Sequence, residues 1–139
     1  MTTRLNPYIT FGGNAREAME FYQSVFGGEL DVSTWGEMPD MPGNSPEMHD
    51  KLMHSMLDVG DGITLMGADM PGAPGPKGSP ISVAVSGEDE TQLRDWYDKL
   101  AEGGEVIEPF MQAPWGDLFG MLNDKFGVNW MVSGASPQE

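Results

Sequence analysis

The chain reads as an α+β protein of two βαβββ modules that pair curved sheets around a cleft, and three observations predict this. Ala18, Phe21, Tyr22 and Val25 lie at i, i+3, i+4 and i+7, and Leu93, Trp96, Tyr97 and Leu100 repeat that stripe 75 positions later. Each stripe runs into a glycine pair, Gly27-Gly28 and Gly103-Gly104, as helices ending in a left-handed cap do. Two hairpin-like stretches then match at an offset of 65, aligning Gly62 with Gly127, His54 with Phe119 and Met66 with Met131. A repeat of this kind is an internal duplication, and it governs how every single motif is read.

Taken in order, residues 1–6 are a short polar lead, and Pro7 to Phe11 (PYITF) is a strand rich in β-branched and aromatic residues. Asn14 and Glu17 have the spacing of a capping box ahead of the first helix. Met53 to Val59 and Ile63 to Met66 flank Gly60-Asp61-Gly62 as a hairpin. Gly36 to Asp50 (GEMPDMPGNSPEMHD) has no periodicity and is a loop, which accounts for the ten-residue difference between the two offsets. Met70 to Ser79 is nearly all turn formers and links the modules. The second module opens with the strand Ile81 to Val85, and Ser86 with Asp89 has the spacing of its helix start. It closes with Leu118 to Leu122 and Val128 to Val132 around Asn123-Asp124-Lys125-Phe126-Gly127, a second hairpin. A module of one helix and one sheet has too little core to stand alone, so the expectation is a single domain. Its parts are module one at 5–69, a linker at 70–79, module two at 80–133 and a tail at 134–139.

With 7 basic against 22 acidic residues, the net charge is −15, which repels phosphate backbones and argues against a nucleic-acid partner. There is no Cys, hence neither disulfide nor thiolate chemistry. Residues 1–15 lack the apolar run of a signal peptide, and no stretch is long enough to span a membrane. The expectation is a soluble cytoplasmic protein with no membrane partner.

The segments EAMEFYQSVFGGEL, MHSMLDVGDGITLMGAD and WGDLFGMLNDKFGVNWMV, in this order, resemble the glyoxalase/vicinal-oxygen-chelate superfamily. More narrowly they are similar to its PhnB-like members, some of which carry the name demethylubiquinone-methyltransferase-like. The resemblance covers residues 5–133 and implies the glyoxalase/bleomycin-resistance/dihydroxybiphenyl-dioxygenase fold, commonly as a homodimer. It also implies, for metal-dependent members, four side chains around a divalent ion. The first strand of each module gives His or Gln and the last gives Glu, and the ion acts as a Lewis acid.

This chain departs from that pattern. Counting back from the aromatic pair of each stripe lands on Pro7 and Ser82, and the carboxylate positions fall on Met66 and Met131. Thioethers are soft ligands unsuited to magnesium, zinc, nickel or iron, so no cofactor is predicted and the ancestral metal positions read as lost. No glycine-rich S-adenosylmethionine loop and no Rossmann or phosphate-loop motif occurs.

Of the two histidines, His49 lies in the acidic loop, and His54 lies in a strand at a position that PhnB-like relatives tend to fill with His. A lone strand His is more often held by hydrogen bonds within the fold than used as a base. Facing a cavity, His54 is the candidate catalytic residue, because an imidazole titrates near neutrality in water. His54, Met56, Met66, Trp115, Phe119 and Met131 are the candidate ligand-binding residues, with Trp130 read as core and Asp117 and Asp124 as turn residues. Met38, Met41, Met48, Met53 and Met56 offer an adaptable apolar surface.

Two principal functions follow. The first is binding of a small apolar or aromatic molecule in the cleft, without the four-ligand metal site. The alternative is a metal-dependent lyase, isomerase or dioxygenase with a site relocated around His54. A purely structural or regulatory dimer is a third.

Overall fold

The computed structural model describes residues 5–37, 45–60, 63–70, 75–77, 81–114 and 116–134. The chain divides into two compact units, Met1–Gly75 and Pro76–Glu139.

In the first unit, β1 (Tyr8–Phe11) leads into α1 (Ala15–Phe26), followed by β2 (Glu29–Thr34), two single-turn 3-10 segments, β3 (Leu52–Gly60) and β4 (Ile63–Asp69). The strands form one sheet in the order β1-β4-β3-β2. Pairing of β1 with β4 is parallel and the other two pairings are antiparallel. The second unit repeats this plan with β5 (Ser82–Gly87), α2 (Glu90–Ala101), β6 (Glu105–Gln112), β7 (Leu118–Asn123) and β8 (Asn129–Gly134), in the order β5-β8-β7-β6. Both sheets are therefore βαβββ modules, as the duplication predicts.

Each helix covers one face of its own sheet. In the first unit that face carries Phe11, Leu57 and Leu65, and it is packed by Met19 and Tyr22 of α1. The expected stripe is turned slightly: Ala15, Ala18, Met19, Tyr22 and Val25 are buried, whereas Phe21 is only partly so. In α2 the four predicted residues, Leu93, Trp96, Tyr97 and Leu100, are all buried. Each fully buried large apolar side chain contributes about 1.5–3 kcal/mol, so these faces hold most of the stabilising area.

The helix starts also differ from expectation. Asn14 makes no side-chain cap on α1. Instead the buried carboxylate of Asp69, at the end of β4, accepts from the Gly13 and Ala15 amides at 2.9 Å each, and its second oxygen accepts from the Leu52 amide. The N-terminal amides of a helix need acceptors, and a distant carboxylate serves as well as a local one. In α2 the cap is Asp89 itself, accepting from the Gln92 amide, rather than Ser86.

The β7–β8 hairpin is organised by a second buried carboxylate. Asp124 accepts from the Phe126 and Val128 amides through one oxygen and from the Trp130 indole at 2.8 Å through the other. Trp130 is core, facing α2, as its sequence context suggests. The tip of the first hairpin and most of the linker lie outside the described residues, as do Trp115, Met38 and Met41.

Candidate functional site

Side chains alternate across a strand, so the residues in register across a sheet form rows on one face. The row containing Met66 runs Tyr8, Met66, Met56, Asp31. It lies opposite the helix-covered row of Leu57 and Leu65. His54 is two residues from Met56 and shares its face, in register with Ser33. The face of the first sheet not covered by α1 thus brings together three predicted residues, His54, Met56 and Met66, all partly buried.

The corresponding face of the second sheet carries the row Ala84, Met131, Met121, Glu108. Phe119 is two residues from Met121 and pairs with Ser133 and Met111. Phe119 and Met131 therefore share a face, and both are partly buried. A cavity of about 280 Å³ at the β6 edge is lined by Phe119, Met111, Glu108 and Pro109 among others. Trp115, the sixth predicted residue, lies outside the described residues.

In register, the partners of Met66 and Met131 are Tyr8 and Ala84, and the counted positions Pro7 and Ser82 lie one and two residues earlier. Pro7 contributes its carbonyl oxygen, which accepts from the Met66 amide at 3.1 Å. The Ser82 hydroxyl donates to the Asn129 side chain, in the next row. The register partners differ by 76 between the modules (Tyr8 to Ala84), whereas the helices and the counted positions differ by 75 (Ala15 to Glu90).

The four positions thus present two thioethers, a phenol and a methyl group. This donor set does not fit a divalent Lewis-acid metal, which takes carboxylate and imidazole ligands. Among the described residues no group of three or more His, Asp or Glu side chains is placed to hold an ion.

Two residues of the site were missed in the sequence. Met121 was available from Met56 by the offset of 65, as its cross-strand relation to Met131 repeats that of Met56 to Met66. Tyr8 lay one residue beyond the counted position. It is 48% exposed, and its hydroxyl lies 3.5 Å from His54 Nδ1, with the rings tilted and their centroids 6.0 Å apart. Partial burial raises the Tyr8 pKa above the ordinary tyrosine value, so the hydroxyl keeps its proton at neutral pH.

The comparisons with known proteins agree with this architecture. The model for the Glyoxalase/Bleomycin resistance protein/Dioxygenase superfamily matches residues 4–132. Protein YjdN of Escherichia coli (strain K12) is 28% identical over 138 residues, covering 93% of each chain. The crystal structure of protein PA1353 from Pseudomonas aeruginosa is 32% identical with a TM-score of 0.82, covering 98% of this chain and 100% of that one. The PhnB protein from Bacillus cereus is 27% identical with a TM-score of 0.70, covering 96% and 100%. With a family model spanning nearly the whole sequence and two four-stranded sheets of matching topology, the chain belongs to the Glyoxalase/Bleomycin resistance protein/Dioxygenase superfamily and is similar to its PhnB-like members.

Proposed function

We propose that the protein binds a small apolar or aromatic molecule on the sheet faces left uncovered by its helices, without a four-ligand metal site. One observation carries this reading: Met56, Met66, Met121 and Met131 occupy repeat-equivalent, cross-strand positions on those faces, with Phe119 beside them. Thioethers are flexible and polarizable and adapt to planar ligands, and the carboxylates of the two rows, Asp31 and Glu108, stand exposed on the edge strands. The relatives support a superfamily role and leave the ligand to be found by experiment.

The test is an NMR titration of isotope-labelled protein with small aromatic molecules. Saturable shifts of the Met56, Met66, Met121 and Met131 methyl groups are expected. Absence of saturable shifts, or shifts confined to other surfaces, overturns the reading. Elemental analysis is the complementary measurement. Stoichiometric divalent metal that disappears in His54→Ala replaces this reading with the enzyme built around His54.

The proposal includes a cytoplasmic homodimer. Light scattering that gives a strict monomer at all concentrations removes the dimer from it.

A further inference from the structure

Tyr8 and His54 are the only aromatic–imidazole contact of the first sheet's uncovered face among the described residues, and they stand beside the Met66 and Met56 thioethers. A surface meant only for hydrocarbon has no use for such a polar pair, which here is partly exposed and so costs little to keep. The Tyr8 hydroxyl lies 3.5 Å from His54 Nδ1, and which of the two donates depends on the imidazole tautomer. When the phenol O–H points at Nδ1, that nitrogen accepts and the ring proton of a neutral imidazole sits on Nε2. In that arrangement Nε2 is a hydrogen-bond donor with its tautomer held by an outer partner, as happens for functional histidines elsewhere.

We infer that Tyr8 donates to His54 Nδ1 and that the ligand is amphipathic: a planar apolar body lying on the Met56 and Met66 thioethers, with a hydrogen-bond-accepting oxygen, such as a conjugated carbonyl, received by His54 Nε2–H. This rests on the binding reading above and adds the chemical class and orientation of the ligand. His54 is the contact residue and Tyr8 the positioning residue. The repeat supplies an internal control, because the second sheet has Phe119 where the first has His54, and Ala84 where the first has Tyr8. That face lacks the imidazole–phenol pair, although Ser133 stands in register with Phe119.

Acetophenone and ethylbenzene make a probe pair of similar size, of which only acetophenone carries a carbonyl oxygen. Dissociation constants from the NMR titration are compared in the wild type, Tyr8→Phe and His54→Phe. The acetophenone-to-ethylbenzene affinity ratio is expected to be about tenfold higher in the wild type than in His54→Phe, which corresponds to about 1.4 kcal/mol, one hydrogen bond. Tyr8→Phe lowers the ratio severalfold, and the His54 ring nitrogen shifts in the NMR spectrum report the change of tautomer. The same ratio in the wild type and the variants overturns this inference while the apolar site stands. Binding of neither probe to the wild type overturns the apolar site itself. Should His54→Phe lose its folded spectrum, the Tyr8→Phe ratio and tautomer shifts decide the matter.

Discussion

The two modules share a topology, yet they assign corresponding work to different residues. Each helix packs over a cross-strand pair that must include a glycine. In the first module the pair is Ser55 with Gly67, and a methyl group on Gly67 would meet Phe11 at 3.0 Å and the Met19 sulfur at 3.2 Å. In the second the pair is Gly120 with Val132, and a methyl on Gly120 would meet the Tyr97 ring at 2.7 Å and Phe110 at 2.9 Å. The glycine has changed strands. What duplication preserves is the close approach of helix to sheet, and either member of the pair can permit it. The buried carboxylates show the same freedom: Asp69 ties a strand end to the start of α1, while Asp124 ties a hairpin turn to the Trp130 indole.

The largest effects should come from those carboxylates. Asp124→Ala strands two amides and an indole N–H in a buried site, and it is expected to cost on the order of 3–5 kcal/mol in urea unfolding. Asp69→Ala strands three amides and should cost a similar amount. A loss below about 1 kcal/mol in either variant would show that water replaces the carboxylate and that the comparison fails.

Next come the glycines. Gly120→Ala forces a methyl against an aromatic ring and backbone, and about 2–3 kcal/mol is expected. Gly67→Ala faces mainly movable side chains and should cost roughly 1 kcal/mol. Reversal of that order in thermal or urea unfolding would mean that the two helices do not sit as tightly as these distances indicate.

Tyr97→Phe is smaller. The hydroxyl donates to the Glu108 carbonyl at 2.7 Å, and its loss should cost about 1 kcal/mol. Burial, with Asp98 and Glu108 nearby, raises the Tyr97 pKa above 10.0. The folded state therefore holds this proton more tightly than the unfolded chain. That contribution is complete below pH 10 and is lost as pH rises through the folded value. Tyr97→Phe should accordingly flatten the alkaline fall in stability measured by unfolding at pH 9 to 11. An unchanged alkaline limb would assign the fall to other groups.

The smallest effect expected on stability is that of Tyr8→Phe, within about 0.5 kcal/mol, because the hydroxyl is partly exposed and its one contact is long. The contrast matters: Tyr97 is held for the fold, whereas Tyr8 is held at the proposed site.

Much of this was legible in the sequence. The helical stripes, the glycine pairs and the offset of 65 established two βαβββ modules, because periodic burial leaves a periodic pattern. They also placed Met66 and Met131 at equivalent positions, and the absence of metal-ligating side chains there followed from residue type alone. Local patterns could not reveal partners distant in sequence. Asp69 lies 54 residues from the helix it caps, so the nearer Asn14 was the natural choice. Met19 joins the core in place of Phe21 because packing against Gly67 sets the rotation of the helix.

Tyr8 is the sharpest case. One residue of register decides which face of a strand a side chain occupies, and counting across a loop cannot fix one residue. Sequence alone determined the architecture and the chemical types available. Tertiary structure decided which of those types meet, because hydrogen-bonded register across the sheet, and not distance along the chain, sets a phenol beside an imidazole.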